Sequence, residues 1–308
     1  MVRNGTWFGA PDREMPDIDR SIPVIDAHHH VTEPSRNPYA WLTEDGAIYT
    51  DYLGDYKLAR ADWPMERLLR EFHGANVIRS VHIEAAWSGD DPVDETRYLA
   101  GVTARTGWPH AYVVLCDMTR DVRPQLDAHL AASSLVRGVR IREHPEDGGD
   151  ARFLDALRVC AAHGLSFEIR SWPGTFDRAL ASARAVPELA FVVGNNGMPM
   201  SESAEHLALW RRELAMLAEL PNVHCKIGGL GMVQHAWTVD SIRPWILGLV
   251  ELFGVERCMF GSNWPVDAVY ASYLMTVDAV RLILAEAGFS RDDMQRILGA
   301  NAERFYRL

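Results

Sequence analysis

Short apolar runs of strand-forming composition recur along the chain. They lie at Val24–Ala27, Ile78–Ile83, Ala111–Leu115, Gly138–Ile141, Leu165–Ile169, Leu189–Val193, Val223–Ile227 and Arg257–Gly261. Their length and composition predict buried strands. Between them the apolar positions recur at helical spacing, predicting helices over 65–72, 94–106, 122–132, 151–163, 177–185, 202–220, 239–253 and 268–287. A ninth helix over 291–306 closes the chain, with Ser290 and Asp293 spaced as an N-terminal cap. Gly164, Gly254 and Gly288 follow helix ends, where a left-handed cap is useful.

Eight strand-then-helix units predict an α/β fold, a (β/α)8 TIM barrel. The expectation is a single domain over 1–308 with an N-terminal extension over 1–21. No Pro/Ser-rich linker or low-complexity tract divides the chain. The segment Thr32–Pro64 forms a long loop after strand one, carrying Tyr39, Trp41, Tyr49, Tyr52, Tyr56 and Trp63. Such a loop either walls in a substrate or packs on the barrel rim.

In a TIM barrel the site lies at the C-terminal ends of the strands. Strand one runs into Asp26-Ala27-His28-His29-His30. If alternation holds, Asp26, His28 and His30 share one face. The other strand ends carry His82 and Glu84, Arg140 and Arg142, Glu168 and Arg170, Asn195 and Asn196, Lys226, and Asn263. So many polar groups at one end are costly unless paired or wet, which fits a polar pocket. Arg140 either clamps a substrate carboxylate or pairs with Glu84 or Glu168, and Lys226 either binds substrate or offsets those carboxylates. His82, His110, His163 and His224 read as structural, and Trp264 and Met198 as rim packing.

Composition narrows the classes. A net charge of -11 argues against a nucleic-acid surface while leaving room for a locally basic pocket and a small anionic substrate. The hydrophobic share of 48% is that of a globular chain, and no run is long enough to span a membrane. Cys116, Cys160, Cys225 and Cys258 are far apart in sequence and read as buried thiols of a reducing compartment. With no signal-peptide core near the start, a cytoplasmic protein is the expectation.

The strand ends together resemble the amidohydrolase superfamily, in its amidohydrolase-2 branch of TIM-barrel hydrolases that includes 2-pyrone-4,6-dicarboxylate lactonase and L-fuconolactonase. The carriers are Asp26-Ala27-His28-His29-His30, Val81-His82-Ile83-Glu84-Ala85, Gly138-Val139-Arg140, Asn195-Asn196-Gly197-Met198-Pro199, Lys226-Ile227-Gly228-Gly229-Leu230 and Met259-Phe260-Gly261-Ser262-Asn263-Trp264-Pro265-Val266. The resemblance implies a hydrolase of a small carboxylated lactone or related cyclic ester. It implies catalytic positions at His28, His30, Asn195 and Asn263. It implies substrate contacts from Glu84, Arg140, Glu168, Arg170 and Lys226.

In that family strand six ends in His-x-Gly-x-Pro and strand eight in Gly-Ser/Thr-Asp-Trp/Phe-Pro. Here those His and Asp positions are Asn195 and Asn263. An amide cannot take a proton from water as a carboxylate does. The branch contains metal-dependent and metal-free members, so one divalent ion (zinc or manganese) on His28 and His30 and a metal-free site are both open. A zinc site would need a third ligand, for which Glu84, Glu168 and His144 are candidates. Glu84 or Asp267 would have to act as base; for Asp267 the alternative is a loop-surface or helix-cap role. The alternative function is a non-hydrolytic homologue: a ligand-binding or paralogous partner subunit, or altered chemistry such as decarboxylation. A homo-oligomer is also open.

Overall fold

The computed structural model describes residues 18–43, 53–142, 144–145, 149–232 and 234–308. Tyr49, Tyr52 and most of the N-terminal extension lie outside them. The eight strands are β1 (Val24–His29), β2 (Val77–Ile83), β3 (Ala111–Leu115), β4 (Val136–Arg140), β5 (Ser166–Ile169), β6 (Ala190–Val193), β7 (Val223–Ile227) and β8 (Cys258–Phe260). All neighbouring pairs are parallel and run in chain order. The seam between β8 and β1 is closed just past the strand ends. There the Asn263 N–H donates to the His28 carbonyl and the His30 N–H to the Trp264 carbonyl, each at 2.7 Å. The fold is the expected TIM barrel.

Helices α1 (Met65–Phe72), α2 (Val93–Thr106), α3 (Arg123–Ala132), α4 (Ala151–Ala162), α5 (Phe176–Ala185), α6 (Ala204–Ala218), α7 (Val239–Phe253) and α8 (Tyr273–Glu286) follow the strands in turn. Polar caps set several starts: Asp150, Ser203, Thr238 and Ser272 each accept an N–H from the first turn. The cap at Ser272 starts α8 five residues later than the apolar pattern suggests, leaving Val266–Val269 as a separate 3-10 turn. The predicted last helix is three pieces: α9 (Arg291–Gln295), a π-helical turn (Arg296–Ala300) and α10 (Asn301–Tyr306). Its start carries the expected capping box between Ser290 and Asp293.

Two apolar layers result. The outer one lies between strands and helices. The inner one fills the barrel with Ile25, Ala27, Val81, Ile83, Ala111, Val113, Val192 and Met259, and α10 plugs it with Ala302 and Tyr306. Above Tyr306, the Lys226 ammonium stands 5.4 Å from the ring centre. The barrel is thus apolar below, ionic in the middle and open at the C-terminal end. All four cysteines are buried and none is in a disulfide, with the Cys225 and Cys258 sulfurs 3.4 Å apart. No helix among the described residues is long and apolar enough to cross a membrane.

Candidate active site

The strand ends enclose a small cavity of about 100 Å³. His28, His30, Glu84, Arg140, Arg142, Glu168, Arg170, Asn195 and Asn263 line it, together with Trp41, Leu53, Met198, Met232 and Val266. Lys226 does not. It is fully buried beneath the cavity, with its Nζ donating to Glu168 Oε2 at 2.6 Å, so its charge offsets Glu168 and does not reach into the cavity.

Asp26 also departs from the expectation. A register irregularity between Asp26 and His29 breaks the alternation of β1. The Asp26 carboxylate turns away from the cavity and accepts from the Ser262 N–H and hydroxyl, the His28 N–H and the Tyr273 hydroxyl. Burial pushes it up to about 6, against those four donors. Asp26 therefore pins β1 to the β8 end and holds the backbone of His28. His82 separates from Glu84 as well. Its Nδ1 accepts the Val31 N–H and its Nε2 faces Glu95 at 3.7 Å, outside the barrel.

The histidines that remain are tightly placed. Their rings cross edge-on with centres 5.2 Å apart. His30 Nδ1 lies 2.8 Å from the Ile83 carbonyl, an acceptor only, so that nitrogen carries the proton and Nε2 carries the lone pair. His28 Nδ1 lies 3.0 Å from Glu168 Oε1, close but not aligned as a hydrogen bond, and His28 Nε2 is buried without a partner. Burial pushes His28 down to about 4 against the pull of Glu168, and pushes His30 well below the ordinary imidazole value. Both are neutral at pH 7 and, with Nδ1–H turned toward an acceptor, offer lone pairs.

The carboxylates are ionised in spite of burial. Burial opposes the charge of Glu168, but Lys226 and then His28 outweigh it and hold the carboxyl far below its usual range. Glu84 is likewise held low by Arg140, whose Nε reaches Glu84 Oε1 at 2.6 Å while Nη2 donates to the Glu84 carbonyl. Glu84 Oε2 accepts the Ala86 N–H. Of the alternatives for Arg140, the ion pair is present, and Arg140 still lines the cavity. Arg142 and Arg170 donate to the Trp87 and Arg142 carbonyls, and among the described residues neither pairs with a carboxylate.

Asp267, read from the sequence as a surface or cap residue or a displaced base, is fully buried behind Asn263. Asn195 Nδ2 donates to Asn263 Oδ1 at 3.1 Å, and Asn263 Nδ2 donates to Asp267 Oδ2 at 2.6 Å. Asp267 Oδ1 accepts the Gly231 N–H at 2.8 Å. Burial raises its carboxyl to about 7, against the Gly231 and Asn263 donors. With both oxygens engaged and no place on the cavity wall, it is not a direct base. Asn195 and Asn263 have φ of 44° and 57°. Asp and His tolerate that region about as Asn does, so the backbone does not explain the amides.

A divalent ion fits this donor set poorly. His28 and His30 present two nitrogen lone pairs, and the orphaned His28 Nε2 is suited to a ligand. A catalytic zinc takes three protein ligands, and the described residues bring no three His, Cys, Asp or Glu groups together for one. His144, the other imidazole candidate, is packed against Phe153 and Phe167 and does not line the cavity.

The loop after β1 does both things expected of it. Trp41 and Leu53 wall the cavity, and Trp63 packs edge-on against Trp264 at the rim.

The amidohydrolase family profile matches residues 25–308, and the chain belongs to that family. It is 31% identical over 300 residues to the uncharacterized protein y4mH of Sinorhizobium fredii, covering 93% of this chain and 99% of that one. It is 28% identical over 304 residues to an L-fucono-1,5-lactonase of Burkholderia ambifaria, covering 92% and 95%. Its fold matches the crystal structure of a Burkholderia multivorans amidohydrolase with bound zinc, with a TM-score of 0.78 at 24% identity, over 93% of this chain and 99% of that one.

Proposed function

We propose that this amidohydrolase-family chain hydrolyses a small lactone, with His28 as the general base. The observation that carries the reading is the line Lys226–Glu168–His28. Lys226 fixes Glu168 at 2.6 Å, Glu168 faces His28 Nδ1 at 3.0 Å, and His28 Nε2 is left unpartnered on a residue of the cavity wall. A carboxylate behind an imidazole sets its tautomer and steadies the imidazolium that forms.

In the reaction, water attacks the lactone carbonyl carbon and its proton passes to His28 Nε2. Arg140 keeps guanidinium N–H groups beyond those given to Glu84, and these stabilise the oxyanion. The tetrahedral adduct collapses, the ring C–O bond breaks, and the imidazolium returns the proton to the leaving alkoxide. The neutral imidazoles offer lone pairs, so carbonyl polarisation falls to Arg140. Arg142 and Arg170, free of carboxylate partners among the described residues, suit a substrate carboxylate. The relatives named as lactonases support a cyclic ester as the substrate class.

A second reading is favoured by one observation. Asn195 and Asn263 bond each other where the family carries titratable groups, which suits a binding subunit. The test is a panel of L-fucono-1,5-lactone, L-rhamnono-γ-lactone and 2-pyrone-4,6-dicarboxylate, assayed before and after chelator treatment. The lactonase reading expects turnover of at least one, changed less than twofold by chelator. Turnover of none supports the binding reading. A stoichiometric ion whose removal abolishes turnover overturns the metal-free base.

A further inference from the structure

The three groups Asn195, Asn263 and Asp267 form a polarised chain that ends at the cavity. With Asp267 in its charged form, the direction is set from the buried end. Gly231 N–H donates to one oxygen of Asp267, and the other oxygen, 2.6 Å away, takes a proton of Asn263 Nδ2. Asn263 must then turn Oδ1 toward Asn195, and Asn195 must answer with Nδ2. What remains is Asn195 Oδ1, a buried acceptor without a partner, on a residue that is 8% exposed and lines the cavity. An unpaired buried acceptor is costly and marks the place of an absent donor.

We infer that Asp267 is a specificity-determining positioning residue: acting through Asn263, it keeps the Asn195 carbonyl oxygen uncommitted at the cavity wall, so that the site takes a lactone offering a hydroxyl there. This rests on the lactonase reading for the ligand class, but not for the chain itself. Neither amide is required by its backbone, and neither is charged. Their use is to offer a hydrogen bond of chosen direction, and Asp267 chooses it.

Asp267→Asn tests the direction. The amide introduced by this substitution keeps its Oδ1 on the Gly231 N–H and presents its Nδ2 to Asn263. Asn263 then reverses, donates to Asn195 Oδ1, and leaves Asn195 Nδ2 as a donor toward the cavity. Without ligand, the side-chain carboxamide NMR signals of both Asn263 and Asn195 are expected to shift in the variant, although Asn195 makes no hydrogen bond to residue 267. Unchanged Asn195 signals would overturn the proposal whether or not any lactone is turned over.

With L-fucono-1,5-lactone and its mono-O-methyl ethers as probes, one ether is expected to show a KM about 10-fold above the parent lactone in the native protein, with a smaller change in kcat. In Asp267→Asn that preference reverses or vanishes. In Asn195→Ala it vanishes, and adding Asp267→Asn changes nothing further. Should Asp267→Asn fail to fold, Asn195→Ala decides alone: a retained preference overturns the inference. No turnover of any probe, with the Asn195 signals shifted as expected, counts against the lactonase reading and leaves Asp267 in its positioning role.

Discussion

A carboxylate placed at residue 263, where the family carries one, would meet another already in place, because Asp267 Oδ2 lies 2.6 Å from the Asn263 amide. Two buried carboxylates at that distance share one proton. Asn263→Asp is therefore expected to raise the pKa of the pair. A folded-state pKa above the unfolded value gives stability that is present at low pH and lost as pH rises through the folded value. Thermal melts of Asn263→Asp should fall behind the native protein increasingly above about pH 7, by roughly 1–3 kcal/mol, and Asp267→Asn in the same chain should remove the gap. Equal melts across pH would show that the two side chains do not meet. Nothing at residue 267 announces this in the sequence. It sits in a loop, and its burial depends on where Gly231 and Asn263 land. His28, His30, Glu84, Arg140, Glu168, Arg170, Asn195 and Asn263 were legible as cavity residues because strand ends face a barrel mouth. Of the two roles read for Lys226, the offset of a carboxylate is the one present and the substrate contact is not, since a side chain one residue short of the strand end sits a layer deeper.

At the scale of elements, alternation failed at a register irregularity inside β1 and just past the end of β2. Asp26 leaves the expected face at an irregularity in β1, and His82 and Glu84 part because β2 stops at Ile83. Neither break has a sequence signature, since each is set by pairing with the next strand. The β7–β8 junction shows how tight that pairing becomes. A Cβ on Gly228 would lie 1.7 Å from the Gly261 carbonyl oxygen, and backbone cannot yield as a side-chain tip can. Gly228→Ala is expected to destabilise the fold by about 1–3 kcal/mol or more, read from the urea midpoint, and to weaken lactone turnover by shifting Asn263. A midpoint within ~0.5 kcal/mol of the native value would show that the junction has slack.

At the scale of the molecule, the charge of -11 coexists with a locally cationic site. Glu84 is matched by Arg140 and Glu168 by Lys226, which leaves Arg142 and Arg170 as the local excess. The barrel was legible from eight repeated units, and the family from six motifs in order. The ionic middle layer was not, because ion pairing between strands that are not neighbours depends on closure. That layer fixes Glu168 so that it orients His28, while burial keeps the imidazole neutral against the pull of the carboxylate.

The most direct test is kcat/KM for lactone hydrolysis, followed by proton release across pH, in the native protein and in His28→Asn. Since burial holds His28 down to about 4, the native profile should rise through about pH 4 and stay high at neutral pH. His28→Asn should retain its melting temperature within a few degrees and lose about 10²–10⁴-fold in kcat/KM, along with that limb. A variant that turns over lactone as the native protein does, with the same acid limb, would contradict His28 as the base.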